Sequence, residues 1–592
     1  RPAADVKRIL EPALRSASSQ QRGTRKLSAV QAFLEDYQSA RGSMEITSSQ
    51  VMNPFAGSGA NNLYRCFVDL AFRLVATNGY AALIHQDTHF GDPKAGEFRK
   101  FWFQRIRKHF NFVNMIQIKN FAEVRKTAQF SINIYSGANG EVEFDQFTYA
   151  YLPSQVEESY AHDGSGSVGG LRGADNIWNT AGHKKRIFKI TKKDLQTISN
   201  LNGDSTDDVL QTRLMQPFSE NMLRFLEAVS LSPTLETEVS RVEARANSAS
   251  IDPKTDRLWY SLTDLSESDD VYSGTIVRGT DFRPLEKTVI QGPHIFVANP
   301  FYKTPRRICA THASYDWIDL NEIGSTYSPR SNYGVNGDDG KQNLSKCRWN
   351  PSLRHCDLFR VAVREMVNLT SERSLISAVI PKGVSHINTI RSVAFSNFRD
   401  LINFQALTCS VVLDGMYKMS GRDHFGDSDA KRVPWVNLPD TAIFRALQLV
   451  CITEAYAELW NELAPTLSPS AWSSRRSAFS DPKLASVSEK WDPDVCLRAE
   501  LHRRQALIEI DVIVALEFGL SLDQLIELYE IYFPVGQKKE KNTYYDSNGA
   551  IAWISAKGTN NVGLLDPSGK KWSRGMWQEL LQSKTLEVQS QF

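Results

Sequence analysis

Between Asn61 and Tyr135 the hydrophobic pattern changes period several times, and few architectures accept such a run. From Leu63 to Val75 apolar residues recur at helical spacing, so Leu63, Phe67, Val68, Ala71, Leu74 and Val75 predict one buried stripe. Asn78-Gly79 stops that helix, glycine being free to take a left-handed C-cap conformation. Tyr80–Ile84 is a short apolar run suited to a strand buried on both faces. Asp92-Pro93 predicts a second helix start, with Asp as N-cap and Pro at the first helical position. Phe98, Phe101, Trp102 and Ile106 are expected inward on it, and Arg99, Lys100, Arg105, Arg107 and Lys108 outward. Strands are expected over Phe112–Ile118 and Phe130–Tyr135. Helix, strand, helix, strand, strand is the second half of a doubly wound α/β sheet.

The remainder of the chain has to be divided. A length of 592 residues exceeds one hydrophobic core and predicts about three or four domains. Net charge is only +2, so binding to nucleic acid has to come from local patches. Seven cysteines form no Cys-x-x-Cys pair and no zinc-spaced cluster, which suits a reducing cytoplasm and predicts no metal. The longest apolar stretch, Ile508–Leu520, is broken by Glu509, Asp511 and Glu517, so no membrane span is expected. The chain opens on Arg1 and not Met, from which the expectation is that further sequence precedes it.

Several strings carry a family resemblance. Asn62-Leu63-Tyr64-Arg65-Cys66-Phe67, Asn78-Gly79-Tyr80 and Phe130-Ser131-Ile132-Asn133-Ile134 resemble the back half of the catalytic domain of large adenine-specific DNA methyltransferases. These belong to restriction-modification and phage-defence systems, including the BREX and DISARM types. The likeness continues through His294–Tyr333 and Ser374–Thr389 to Tyr544–Gly558. It implies the second half of a Rossmann-like class I methyltransferase sheet that holds S-adenosylmethionine, then an α+β target-recognition domain and a helical C-terminal region. It also implies double-stranded DNA as partner, other defence-system subunits as further partners, and a cytoplasmic location. In such enzymes the exocyclic amine of an extruded adenine attacks the sulfonium methyl directly.

The resulting division is 1–60, a helical segment and loop; 61–215, the back half of the catalytic domain with an insertion; 216–470, target recognition; and 471–592, a helical domain ending in a hairpin at Asn548-Gly549. Two stretches approach the Asn-Pro-Pro-aromatic catalytic loop. Asn53-Pro54-Phe55 lacks the second Pro and a preceding apolar strand, and otherwise reads as a structural loop. Asn299-Pro300-Phe301-Tyr302 follows an expected strand, His294–Ala298, and leads into Lys303, Arg306 and Arg307, so target recognition or a plain turn competes with catalysis there. Gln86, Asp87 and His89, beyond a strand's carboxyl end, are candidates to line the cofactor pocket. His85 and His89 have no third ligand, so a metal is not expected. Lys303, Arg306, Arg307, Arg330 and Tyr333, with the basic run Lys184-Lys185-Arg186, are candidate DNA contacts, set against ordinary solvated surface. The true catalytic loop is expected outside these residues. The competing expectation is a non-catalytic DNA-recognition or docking subunit whose catalytic half is separate.

Overall fold

The computed structural model describes residues 20–22, 25–27, 29–56, 62–115, 120–124, 128–173, 177–203, 208–238, 259–262, 265–279, 285–309, 314–337, 340, 344–347, 350–368, 370–475, 488–555, 562–564, 568–583 and 589–590. Gly57–Gly59 of the first glycine-rich loop and Ile116–Ile118 of one expected strand lie outside them. The chain is mixed α/β, with several sheets and many helices, and divides into two compact units. Unit 1 takes Arg1–Glu157, Ile187–Ser199 and Asp204–Leu214; unit 2 takes Glu158–Arg186, Asn200–Gly203 and Met215–Phe592. The expected regions 216–470 and 471–592 thus share one unit.

In unit 1, helix α1 (Ala29–Ser48) precedes α2 (Leu63–Leu74), strand β1 (Tyr80–Gln86), helix α3 (Gly96–Arg105) and strands β2 (Ile106–Val113), β3 (Gln129–Ser136), β4 (Glu143–Ala150) and β5 (Phe188–Thr191). The sheet order is β1-β3-β2-β4-β5. β3 inserts antiparallel between β1 and β2, β2 runs parallel to β4, and β5 closes antiparallel on β4. The sheet is therefore mixed, not uniformly parallel. Phe110, Phe112, Phe147 and Ala150 form the apolar cluster on one face.

Three expectations about this unit change. β1 is not buried on both faces: it is the edge strand, with Tyr80, Ala82, Ile84 and Gln86 exposed. On α2 much of the expected stripe points out, Leu63 being 58%, Phe67 59% and Leu74 74% exposed, while Val68 is buried. Its inner face is Arg65, Val68, Asp69 and Phe72, because Arg65 pairs with Asp92 at 2.8 Å and Asp69 accepts the Phe55 amide. On α3, Arg99 is buried, its guanidinium donating to the carbonyls of His89, Asp92 and Gln211. The helix begins after a 3-10 turn at Pro93–Ala95, with the Asp92 carboxylate capping Lys94 N, and gives way directly to β2 at Ile106.

Unit 2 carries helix α4 (Glu220–Ser230) and two four-stranded sheets. Its strands are β6 (Trp259–Leu262), β7 (Ile276–Arg278), β8 (Thr288–Ile290), β9 (Lys303–Pro305), β10 (Tyr315–Trp317), β11 (Tyr333–Val335), β12 (Arg360–Arg364), β13 (Ser377–Ile380), β14 (Ser385–His386) and β15 (Ile390–Phe395). One sheet runs β14-β8-β11-β7, the other β13-β12-β15-β6, and β9 pairs with β10 as a separate hairpin. Helices α5 (Phe398–Cys409), α6 (Val411–Ser420), α7 (Asp440–Val450), α8 (Glu500–Glu517), α9 (Leu522–Tyr532) and α10 (Pro534–Lys541) follow. α5 is buried along nearly all its length, and its buried Asn403, Gln405 and Thr408 side chains hydrogen-bond to backbone carbonyls. Cys409–Leu413, read from sequence as β-like, is the α5–α6 junction, where Ser410 accepts the Leu413 amide. The expected hairpin forms between β16 (Thr543–Tyr545) and β17 (Ile551–Ile554), with Gly549 at φ 81°.

Candidate functional site

Because side chains alternate along strands, His85 of β1, Ser131, Asn133 and Tyr135 of β3, and His109 and Asn111 of β2 share the sheet face under α2 and α3. They form a buried polar layer. His85 Nδ1 donates to the Gln86 carbonyl at 2.9 Å, so its Nε2 accepts from the Tyr135 hydroxyl at 2.6 Å. Tyr135 in turn accepts from Trp102 Nε1 at 2.8 Å, and Tyr64 stacks over His85 at 5.1 Å. The Asp87 carboxylate accepts from Ser131 Oγ, from Asn111 Nδ2 at 2.8 Å and from His109 Nε2 at 3.3 Å. Burial pushes the Asp87 carboxyl up, but His109, His85 and the Ser131 hydrogen bond outweigh it and hold it below the usual range. Burial holds His85 below its ordinary value and His89 well below it.

This arrangement decides how the expected cofactor residues fit. Asp87 and His89 are 7% and 0% exposed. The Asp87 oxygens are occupied by strand side chains, and His89 Nδ1 faces the Tyr64 hydroxyl at 3.1 Å. Gln86 alone of the three is exposed, with Asn62 donating to its Oε1 at 3.3 Å. A closed carboxylate and a closed imidazole do not make a cofactor cradle. Asp87 braces the carboxyl ends of β1 and β2 and the amino end of the antiparallel β3. Among the described residues no group of three or more His, Cys, Asp or Glu is placed to hold a metal, and no helix is long and apolar enough to cross a membrane.

The two Asn-Pro-Phe stretches differ in environment. Asn53 turns its amide back onto the Ile46 carbonyl at 2.9 Å, closing the end of α1, while Phe55 packs edge-on against Phe101 at 4.7 Å. Asn299 sits in a turn closed by bonds in both directions between Phe296 and Asn299, not after a strand as expected. Ala298 there has φ 48°, a conformation an alanine adopts only under constraint. Its amide donates to the Ser377 carbonyl and its carbonyl accepts from Arg503. Pro300 and Phe301 are buried, so the aromatic rings that reach a cavity are Tyr302 and, from the start of the turn, Phe296.

The basic candidates separate in the same way. Arg307 is exposed and makes no hydrogen bond or ion pair among the described residues; Arg306 is exposed but paired with Asp316 at 2.8 Å. Lys303 is half-buried, its ammonium 4.9 Å from the Tyr302 ring centre. Arg330 braces the β9 hairpin by donating to the Pro305 carbonyl at 2.9 Å. Lys184 and Lys185 are exposed. Two expected contacts are interior: Arg186 is 0% exposed with its guanidinium 4.0 Å over the Phe218 ring, and Tyr333 is 6% exposed with its hydroxyl on Glu267 at 2.5 Å. A basic run in sequence does not say which of its members a helix will cover.

His294 ties these pieces together. Its Nε2 donates to the Arg330 carbonyl at 2.9 Å, its Nδ1 accepts the Gln291 amide at 3.1 Å, and its carbonyl accepts the Tyr302 amide at 2.8 Å. Burial lowers its pKa from 6.5 to about 4. The unfolded chain therefore binds the extra proton first. The neutral ring's contribution is complete above about pH 6.5 and is lost as pH falls towards 4, about 3 kcal/mol in all. Denaturation of wild type and His294→Gln across this window should give a difference that shrinks on acidification. A constant difference would contradict it. The comparison isolates this residue from Asp511, whose carboxyl burial pushes up to about 6 and whose slope has the opposite sign.

Neither a protein-family model nor a curated protein matches this chain. Among solved structures it is similar to the type IIG restriction endonuclease BpuSI, at 11% identity over 82% of this chain and 52% of that one, with a TM-score of 0.25. It is also similar to the type IIL restriction-modification enzyme MmeI in complex with DNA, at 9% identity over 80% and 51%, with a TM-score of 0.33. The chain spans about half the length of each.

Proposed function

We propose that this chain supplies the later strands of the catalytic sheet, together with the DNA-recognition region, of an S-adenosylmethionine-dependent DNA adenine-N6 methyltransferase of a restriction-modification or phage-defence system. The observation that carries this is the open edge of β1. Among the described residues β1 pairs only with β3, and the apolar side chains of β1 and α2 beside it lie in solvent. Such an edge is a template for another strand, and an exposed apolar patch marks an interaction surface. The occupant is the earlier half of the sheet, carrying the cofactor cradle and the catalytic loop that Gln86, Asp87 and His89 do not provide. The closed polar layer favours a second reading as well, a recognition subunit that makes no catalytic contact of its own.

The test is transfer of labelled methyl from S-adenosylmethionine to duplex DNA, followed by base analysis. It compares this chain alone with the chain joined to a polypeptide that completes the sheet. Label on adenine N6 only in the completed form is expected. Sequence-specific DNA binding without label in either form would favour the recognition subunit. Within the recognition region, Arg307→Ala should weaken DNA binding across sequences and reduce the salt slope by about one. Arg306→Ala should act less, because Asp316 already neutralises that cation. An unchanged slope for both would remove this strip from the interface.

A further inference from the structure

Unit 2 contains a cavity of about 90 Å³ beside the strained Ala298–Asn299 turn. One wall is aromatic. Phe296 and Tyr302 stack at 4.6 Å and 24°, and Trp317 leans on Tyr302 at 5.6 Å. The other walls hold an excess of charge that is almost wholly paired. Lys539 binds Glu372 at 2.9 Å, Arg504 binds Glu540, Arg373 binds Asp414 at 2.6 Å, and Arg503 donates to three backbone carbonyls. What remains uncommitted is specific. Among the described residues the Glu500 carboxylate makes no hydrogen bond or ion pair, and the Asn299 Nδ2, Tyr302 hydroxyl and Trp317 Nε1 make no hydrogen bond; all four residues line the cavity.

These leftovers restrict the ligand. An anion such as phosphate would meet the Glu500 carboxylate, whose charge also acts on Lys539 and Arg503. A small cation seeking the aromatic wall finds Lys539 there, its ammonium 5.7 Å from both the Phe296 and Trp317 ring centres. A flat, neutral group that stacks on Trp317, meets the tilted Tyr302 ring with its edge and donates an N–H to Glu500 satisfies these constraints. Asn299 Nδ2 can then donate to a ring nitrogen. The Asn299 Oδ1 already accepts the Phe301 amide at 2.9 Å, so the acceptor for an amine is Glu500 and not the turn asparagine. The strain at Ala298 holds Asn299 at the cavity without reorganisation on binding.

We infer that this cavity is a recognition pocket for a single amino-bearing nucleobase. The base stacks on Trp317, with the Tyr302 ring, tilted 56° to it, against the base's edge, and Glu500 accepts its exocyclic amine. As a pocket for a base extruded from DNA it rests on the DNA-methyltransferase reading; as a pocket for a free nucleotide it does not. Glu500 and Trp317 select the ligand and carry out no bond-making step.

The experiment is fluorescence titration of the full chain in two arms. One arm uses AMP, CMP, GMP and TMP in competition with 2-aminopurine ribonucleotide. The other uses duplex DNA bearing an unpaired 2-aminopurine. Quenching in at least one arm is expected, with amino-bearing bases bound at least ten-fold more tightly than thymine. Trp317→Ala should weaken binding roughly 5- to 100-fold, the range for loss of one stacking partner. Glu500→Gln, which keeps the helix and its packing, should abolish the preference over thymine. Circular dichroism of both variants checks that the fold persists. Quenching by free nucleotides only identifies a small-molecule ligand, and quenching by DNA only identifies an extruded base. No quenching in either arm, equal binding of thymine, or indifference to Glu500→Gln would overturn the pocket. Since neither arm measures methyl transfer, a failure here is separable from failure of the methyltransferase reading.

Discussion

Asp414→Ala is expected to destabilise unit 2 by about 3–5 kcal/mol, the range for removing one partner of a buried ion pair. Asp414 is fully buried on α6 and accepts Arg373 Nε at 2.6 Å and the amides of Ser374 and Leu375 at 3.0 and 3.1 Å. Its loss strands a guanidinium that, among the described residues, keeps a hydrogen bond to the Cys409 carbonyl only, and Lys418 is buried close by on Ser374. Two cations would then share a site in which Asp511 is the carboxylate still acting on Arg373. Arg373→Met with Asp414→Leu should recover part of the loss by removing both charges. It should not recover all of it, because the two orphaned amides cost about 1–3 kcal/mol each. The denaturant midpoint of the unit 2 transition at unchanged slope measures both. A loss below about 1 kcal/mol for the single variant would show that water reaches the site and the pair is not a buried one.

Phe67→Glu combined with Ile84→Glu should leave this chain folded yet reduce its association with the sheet-completing half by more than 100-fold. Both side chains are 59% exposed, so their loss to solvent-compatible groups is nearly neutral for the isolated chain. In an assembled sheet the same positions would be desolvated, and two buried unpaired carboxylates cost several kcal/mol. Isothermal titration of the two halves, with methyl transfer as second readout, gives the result. If association and transfer match wild type, β1 and α2 do not form the joint, and the open edge belongs to some other contact or none.

The local part of the architecture was legible because its signals are local. Asp92-Pro93 started a helical turn and Asn548-Gly549 a hairpin since capping and left-handed backbone depend on one or two residues. The periods of Leu63–Leu74 and Gln129–Ser136 likewise marked a helix and a strand. What a period cannot report is which partner an element meets. Leu63, Phe67, Val68, Ala71, Leu74 and Val75 read as a buried stripe, yet Leu63, Phe67 and Leu74 are exposed, and Arg65, Asp69 and Phe72 join Val68 inside because Asp92, the Phe55 amide and Tyr135 face them.

The same division holds for the candidate site. Composition and order singled out Asn299–Tyr302 and the cations after it, and the tertiary structure left Arg307 exposed with no ion pair among the described residues, paired Arg306 and enclosed Arg186 and Tyr333. The cavity beside Tyr302 could not be read from any one stretch. Its walls come from Phe296, Trp317, Glu372, Glu500 and Lys539, brought together across more than two hundred positions. Sequence by itself determined the helix start at Asp92-Pro93, the hairpin turn at Asn548-Gly549 and the helical and strand periods of residues 63–74 and 130–135, because backbone preference is set by near neighbours. Burial, pairing and charge left without a partner were decided by the tertiary structure alone, because each depends on atoms far along the chain that enter the same few ångströms.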